Sequence, residues 1–560
     1  MSTNKRENAK HKRNTLAGSI LVQGGILAIA GIIARAIGLV RRIPLTNIIG
    51  DMGNGYYSNA YEIYSIVLLL SSYSLPVAIS RLVAARTEKG QIRNTQKYFK
   101  GALIFALISG GISYMAVMIF VEKLAANIMG EAKSAMALRV LAPTLLIFAI
   151  MGAFRGYFQG KGTMVVTAVS QIVEQIILVV TSLVFASIFF NIGSKFGNIM
   201  MDENYAPALG AAGATIGCGL GALGSLFYCM VNYQIYVKKI VRNEIPLDAS
   251  KRTESMSKVM MTILITVVPF ILSTVIYNVS SIIDQSMYNH YMESIGEFDL
   301  KTLSMGVYSG KYRVLINLPI ALANAMVSAI VPSLSASISK NDRVSARMKV
   351  SSAIRITMII TIPCAVGLAV LGRPIVDLLF NGEIDMAARM LYIGTLSIIF
   401  FALSTLGNGI LQGIGKINVP VINALIALAI NVASLQLFLH GFHLGIYSVV
   451  LANMLFSLVM CILNHLAIHK HLSYKQELRS TFIIPLLCSL IMGAVIFLLN
   501  LLLQMFLPNY AVCIICILVG IVVYLVCMVI FRGITAGTIL SLPGGEKILR
   551  FLKRFGLFRK

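Results

Sequence analysis

The chain has 560 residues, 57% of them hydrophobic and only 12% charged, with a mean hydropathy of +0.83; a soluble domain is nearer ~25% charged. The formal net charge is +25, but the basic residues sit in short loops between apolar runs. That pattern excludes a nucleic-acid reading and matches the positive-inside bias of membrane proteins. The apolar runs are continuous rather than alternating, which points to helices and not a transmembrane β-barrel. The expected fold class is an all-α integral membrane protein.

In chain order, a basic cytoplasmic tail over 1–15 leads into an apolar run too long for a signal h-region and without a small-residue cleavage site, so no cleavable leader is expected. A helix needs ~20 apolar residues to cross a ~30 Å hydrocarbon core. By that measure fourteen spans are predicted: 22–48, 58–84, 99–121, 136–158, 164–190, 207–236, 259–283, 303–335, 352–380, 388–412, 418–439, 444–467, 481–506 and 510–532. Prolines recur inside them (Pro76, Pro143, Pro269, Pro319, Pro363), which membrane helices tolerate when neighbours re-satisfy the backbone. Alternate loops are basic: "RTEKGQIRNTQK", "VKKIVRNEIPLDASKRTES", "SKNDRVSARMK" and "HKHLSYKQELR". The opposite set, "GDMGNG", "GSKFGNIMMDEN", "MESIGEFDLK" and "NGEID", is acidic or nearly neutral. An even number of spans with this bias places both termini in the cytoplasm of a multi-pass protein of the bacterial cytoplasmic membrane.

The chain repeats itself. "FAIMGAFRGYFQGKG" (148–162) aligns with "FALSTLGNGILQGIG" (401–415) at a constant offset of 253 residues, and "TEKGQ" (87–91) with "SKNDR" (339–343) at 252. "ARAIG" of the first span then falls opposite "SIIDQ" of the seventh. Two six-helix copies of like orientation follow, related by an axis along the membrane normal with a site between them. The predicted organisation is an N-lobe over 16–240, a cytoplasmic linker over 241–258, a C-lobe over 259–470, two further helices over 471–535 and a basic cytoplasmic tail over 536–560.

Charges inside apolar runs are costly and therefore mark structure or function. Arg35, Arg41 and Arg42 interrupt the first span; Arg35 lies ~15 Å in, near the midplane. Arg42 is placed either in the cavity or snorkelling to the interface. Two readings of Arg35 stand: an intramembrane ion pair with Glu62, Glu174 or Asp284, or a cation in the wall of a water-filled cavity. Arg81, Lys311 and Arg313 are further cations in or beside spans, and Arg373 and Asp377 are spaced i,i+4 as a self-satisfying pair. Cations outnumber the three acids. An excess of guanidinium suits an anionic, phosphate-bearing cargo. Glu174, Asp284 and Glu62 are either structural partners or sites for a coupling proton or sodium ion.

Other signals are weak. "GYFQGKGT" imitates a phosphate loop but joins two spans, with Gly after the Lys. Cys513 and Cys516 form a C-x-x-C inside a span, as apolar packers. His465, His469 and His471 form a polar margin or, less simply, a metal site. Asn278-Val279-Ser280 is a sequon in an apolar run. No nucleophile-elbow or zincin motif occurs, so the chain reads as a transporter and not an enzyme, with no cofactor and with membrane potential, H+ or Na+ as the available drivers.

"RGYFQGKGTMVVTAVSQIVEQI" (155–176) carries an R-G-x-x-Q-G turn followed by T-A-V-S-Q-x-x-E-Q. "ARAIGLVRRIPL", "SLPVAISRLVAARTEKG" and "LINLPIALANAMVSAIVPSLS" agree with it. Together they resemble the lipid II flippase group that includes stage V sporulation protein B and MurJ-like proteins, within the multidrug/oligosaccharidyl-lipid/polysaccharide (MOP) exporter superfamily. The likeness covers about 15–535. The resemblance implies fourteen helices in two six-helix lobes plus two, a V-shaped central cavity and alternating access. It implies an undecaprenyl-linked peptidoglycan precursor, lipid II, as cargo moved from the inner to the outer leaflet by a monomer, with the lipid bilayer and the glycan lipid as its partners. Another polyprenyl-linked saccharide (capsule, teichoic acid or exopolysaccharide) is the alternative cargo. A cation-coupled multidrug exporter is a second alternative, but it would call for an acidic cavity. Family members carry cavity arginines where this chain has Arg35 and Arg41, and a basic residue at Arg81. An Asp-Arg pair opens helix 8 in Gram-negative members; here the region reads "KYRVLIN", without the acid, leaving Lys311 or Arg313 as the cation.

Overall fold

A computed structural model describes residues 2–73, 75–238, 245–250, 253–531 and 533. Among these residues all regular structure is helical. The elements are α1 (Ser2–Leu68), α2 (Leu75–Glu88), α3 (Ile92–Lys123), α4 (Ala135–Gly160), α5 (Met164–Met200), α6 (Tyr205–Tyr236), α7 (Met256–Ser294), α8 (Phe298–Val307), α9 (Arg313–Ser339), α10 (Arg343–Leu379), α11 (Ile384–Gly394), α12 (Leu396–Gly413), α13 (Asn418–Gln436), α14 (Ile446–Leu472), α15 (Ile484–Leu503) and α16 (Asn509–Ile530). Single π turns extend several of them, as at Leu69–Tyr73 and Tyr308–Tyr312.

Eleven helices among the described residues are long and apolar enough to cross a membrane. The first of these runs 59 residues, Ala30–Glu88. It holds two of the predicted spans, because Gly50 (φ 69, ψ −178) breaks α1 into two helices. The predicted spans 259–283 and 303–335 fall on α7 and α9, which lie outside those eleven.

The chain packs as two compact units that divide between Gly306 and Val307. The first takes in α7, the helix that the sequence repeat assigns to the start of the second copy. Its reason for being there is direct packing: Val259 and Ile263 of α7 meet Gly101 of α3, and Gln285 and Asn289 of α7 both donate to Asn59 Oδ1 (2.6 and 2.9 Å). Within this unit small residues let backbones approach, as membrane helix pairs require where no hydrophobic effect drives them together. A Cβ on Gly213, Gly217 or Gly221 of α6 would lie 2.4, 2.4 and 2.7 Å from atoms of Phe185, Ser182 and Glu174 on α5. Gly152, Gly156 and Gly160, one turn apart on α4, seat α2 in the same way through Pro76, Ile79 and Val83. In the second unit, Ala323 and Leu334 of α9, Met358 of α10, Leu406 of α12 and Ile468 of α14 form one buried cluster. Leu371 of α10 with Cys488, Met492 and Cys516 forms another, which docks α15 and α16.

The two sequence copies share local geometry. After α4 the amides of Lys161, Gly162 and Thr163 bond the carbonyls of Tyr157, Gln159 and Phe158. After α12 the amides of Ile414, Gly415 and Lys416 bond those of Ile410, Gln412 and Leu411. Gly162 and Gly415 both take φ +79°. The other repeated turn is also real, but its register moves. Gly90 (φ +67°) coincides in conformation with Asn341 (φ +56°), an offset of 251 in place of the 252 read from sequence. With that offset, the bonds Gly90→Thr87, Gln91→Arg86 and Thr95→Gln91 superpose on Asn341→Ile338, Asp342→Ser337 and Ala346→Asp342.

Residues 245–250 and 253–255 lie against the first of these turns. Asp248 Oδ1 accepts from the amides of Ile92 (2.7 Å) and Arg93 (3.3 Å) at the start of α3, and the Ala249 amide donates to Gly90 O. Asn94 Oδ1 accepts from the Glu254 amide, and the Glu254 carboxylate meets Arg86 at 3.4 Å and the Tyr98 hydroxyl at 3.0 Å. Burial works against the Asp248 charge. Hydrogen bonds from the Ser250 hydroxyl and from the amides of Arg93, Ser250 and Ile92 outweigh it and hold the carboxyl below the usual carboxylate range. At the opposite ends of the helices, Lys133 bonds both oxygens of Asp202 at 2.7 Å and lowers its pKa.

Candidate anion site on α1 and α5

The motif Ser170-Gln171-Ile172-Val173-Glu174-Gln175 sets two i,i+4 pairs on adjacent stripes of α5. Ser170 and Glu174 face α4 and α6. Arg155 of α4 donates to Ser170 Oγ (2.9 Å), to Glu174 Oε2 (2.7 Å) and to Ser225 Oγ of α6 (2.9 Å). Both charged side chains are 11% exposed, so this is a buried, hydrogen-bonded ion pair. Glu174 is thereby committed to Arg155 and not to Arg35. Arg155 is not among the charges that the apolar runs single out; the sequence signal for it is its spacing about the turn, seven residues before Gly162, with Ser170 eight after.

Gln171 and Gln175 face α1. Their Oε1 atoms lie 4.0 and 3.1 Å from where a Cβ would stand on Gly31 and Gly38. The two glycines are seven residues apart, on one stripe of the helix. Arg35 sits one turn from each, at the edge of that seam, and its side chain is exposed. It makes no ion pair among the described residues. It lies ~22 Å along the helix axis from the break at Gly50. Arg41 is 6% exposed; it donates to Ser182 Oγ of α5 at 3.2 Å, and its Nε has no partner. Arg42 is half-buried, its guanidinium 5.3 Å from the Tyr57 ring centroid. Helical spacing puts Arg35 and Arg42, seven residues apart, on one stripe, with Arg41 turned inward beside them.

The other predicted site residues lie elsewhere. Arg81 is exposed on α2. Glu62 is 8% exposed and accepts from Ser281 of α7 at 2.7 Å; Asp284 is 1% exposed on the same face of α7 as Ser281. In the second unit Lys311 is fully buried and donates to Glu383 O at 3.2 Å, while the half-buried Arg313 guanidinium stands 6.0 Å from the Tyr308 ring centroid. One expected pair is replaced. Arg373 meets Asp385 beyond the turn at Gly382 (3.1 Å), and Asp377 accepts from Asn509. His469 bonds Tyr474 O, Cys513 and Cys516 are buried free thiols, and no His/Cys/Asp/Glu group among the described residues could hold a metal ion.

Long apolar helices joined by close glycine contacts, with committed ion pairs inside and an uncommitted arginine on a spanning segment, define a polytopic α-helical membrane protein. Residues 20–338 match the family described as "Polysaccharide biosynthesis protein", and 269–437 match MatE. The chain belongs to the polysaccharide biosynthesis protein family. It is 23% identical to the lipid II flippase MurJ of Bacillus subtilis (strain 168) over 484 residues, covering 84% of this chain and 86% of that one. It is also 23% identical to stage V sporulation protein B of the same organism, covering 84% and 88%. Among solved structures, the inward closed conformation of the lipid II flippase MurJ has a TM-score of 0.58 at 20% identity, covering 90% of this chain and 98% of that one. An inward-facing multidrug resistance MATE family transporter of the MOP superfamily has a TM-score of 0.63 at 16% identity, covering 79% and 94%. The fold is therefore that of the MurJ and MATE proteins, and the chain is a multi-pass bacterial membrane protein.

Proposed function

We propose that this protein is a flippase for a polyprenyl-diphosphate-linked saccharide, and that its cargo is the peptidoglycan precursor lipid II. The observation that carries the reading is Arg35: a guanidinium on a spanning helix, exposed, with no carboxylate paired to it among the described residues. An embedded cation is costly, so it faces water or an anionic ligand, and guanidinium matches diphosphate in bidentate geometry. The names of the relatives favour a lipid-linked saccharide, and MurJ favours lipid II. The family description and stage V sporulation protein B keep a different polyprenyl-linked glycan as the second reading. A MATE-like export of cationic drugs fits poorly beside an uncommitted arginine. Both termini lie in the cytoplasm on the loop-charge bias, the protein works as a monomer by alternating access, and fourteen spans complete it. An inside-negative potential favours outward movement of the negatively charged cargo by ~2.3 kcal/mol per charge per 100 mV. Glu174, held by Arg155, is a structural partner; Glu62 and Asp284 are the candidates for a coupling H+ or Na+.

The test is complementation of a strain depleted of its lipid II flippase, with a leaflet-accessibility assay for lipid II. Arg35→Ala at equal expression is expected to abolish both growth and outward lipid II. Normal growth and outward lipid II in that strain overturn the reading; failure of the unsubstituted chain to restore outward lipid II shifts it to another lipid-linked glycan.

A further inference from the structure

We propose that Gln171 and Gln175 form, with Arg35, one polar strip that binds the diphosphate-bearing head of the cargo; this rests on the flippase reading above. Both glutamines are half-buried, and neither makes a hydrogen bond among the described residues. Gln171 Oε1 is buried without a partner. They lie ~10 and ~16 Å along α5 from its start at Met164, within a spanning segment. An amide left unpaired against hydrocarbon costs several kcal/mol. Two of them, one turn apart and edged by an exposed arginine, do not face lipid. Their unmet hydrogen bonds call for water or a polar ligand at the seam. The seam is also cut to hold them, since Gly31 and Gly38 leave space for their side-chain oxygens, and a methyl group at position 38 would crowd Gln175 Oε1 at 3.1 Å.

The chemistry is complementary. The guanidinium supplies charge-assisted hydrogen bonds to phosphate oxygens. Each amide supplies two donors and an acceptor, which suits phosphate oxygens and the hydroxyls of the first sugar. Ser170 and Glu174, on the next stripe of the same helix, are fixed by Arg155. That ion pair sets the rotation of α5 and so keeps the glutamines on the α1 side.

The experiment uses full-length protein in nanodiscs, with undecaprenyl diphosphate as the probe and native mass spectrometry as the readout, alongside the complementation assay. Gln171→Leu/Gln175→Leu is expected to weaken undecaprenyl diphosphate binding at least ten-fold and to reduce lipid II transport, while thermal stability is kept or raised, because leucine leaves no buried amide unpaired. Gly38→Ala is expected to give a smaller loss in the same direction. Unchanged binding and transport in the double variant overturns this proposal alone, provided Arg35→Ala still abolishes transport. If Arg35→Ala is silent as well, the flippase reading fails with it. Loss of binding accompanied by lower thermal stability means that the glutamines are structural, and overturns the proposal too.

Discussion

The turn that opens α3 and the turn that opens α10 have the same backbone, yet their helices are capped differently. In the second, Asp342 caps its own helix: its carboxylate accepts from the Ser345 amide at 2.9 Å. The equivalent position in the first is Gln91, whose side chain makes no capping bond. There the carboxylate comes from Asp248, 156 residues beyond Ile92, and accepts from two α3 amides. One copy solves the open helix end locally; the other has turned the same need into a tertiary tie that fastens the segment before α7 to the turn between α2 and α3.

The comparison can be broken. Asp248→Ala removes both cap and tie and should cost most, about 1–2 kcal/mol, the upper part of the range for a lost N-cap. Denaturant unfolding in detergent and tryptic cleavage within 245–255 should both report it. Asp342→Ala should cost about 1 kcal/mol or less and leave cleavage of 245–255 unchanged; equal effects from the two variants would show that the tie carries nothing beyond a cap. Acid should separate the two regions further. A carboxyl whose pKa is depressed in the folded protein contributes stability above its unfolded value of about 3.9, and that contribution is lost as pH falls through the lower folded value. Asp248 is such a group, so the stability difference between wild type and Asp248→Asn, read by denaturant unfolding at each pH, should be full above about pH 4 and shrink as pH falls further. The smallest and sharpest change is Gln91→Asp placed in the Asp248→Ala background. It should return a few tenths of a kcal/mol or more by restoring a local cap, without restoring resistance to cleavage. If resistance also returns, the tie is a by-product of helix stability.

How much of this was legible in the sequence depends on the range of the interaction. The eleven long apolar helices were visible because ~20 apolar residues are needed to cross a bilayer whatever else happens. The glycine turns were visible because six matched letters at a constant offset encode one local geometry. Arg35 was visible as a charge without a nearby reason. The Asp248 cap was not, because nothing in "IPLDAS" says which helix end it will reach. Helical spacing paired Arg373 with Asp377, but both are near the end of α10. The chain turns at Gly382 and offers Asp385 to Arg373, and both partners are mostly exposed (64% and 60%), where either pairing is worth little. The family resemblance implies a cavity role for both Arg35 and Arg41. The seam at Gly31 and Gly38 separates them, turning one inward to Ser182 and leaving the other exposed.

Gly162 and Gly415 share φ +79° and have open space where a side chain would project. An L-residue is strained there by its backbone and not by its neighbours. A mirror-image residue favours positive φ and would not meet that backbone strain. D-alanine placed at either position by semisynthesis should fit both joints equally well and, by narrowing the unfolded chain's freedom, should tighten each.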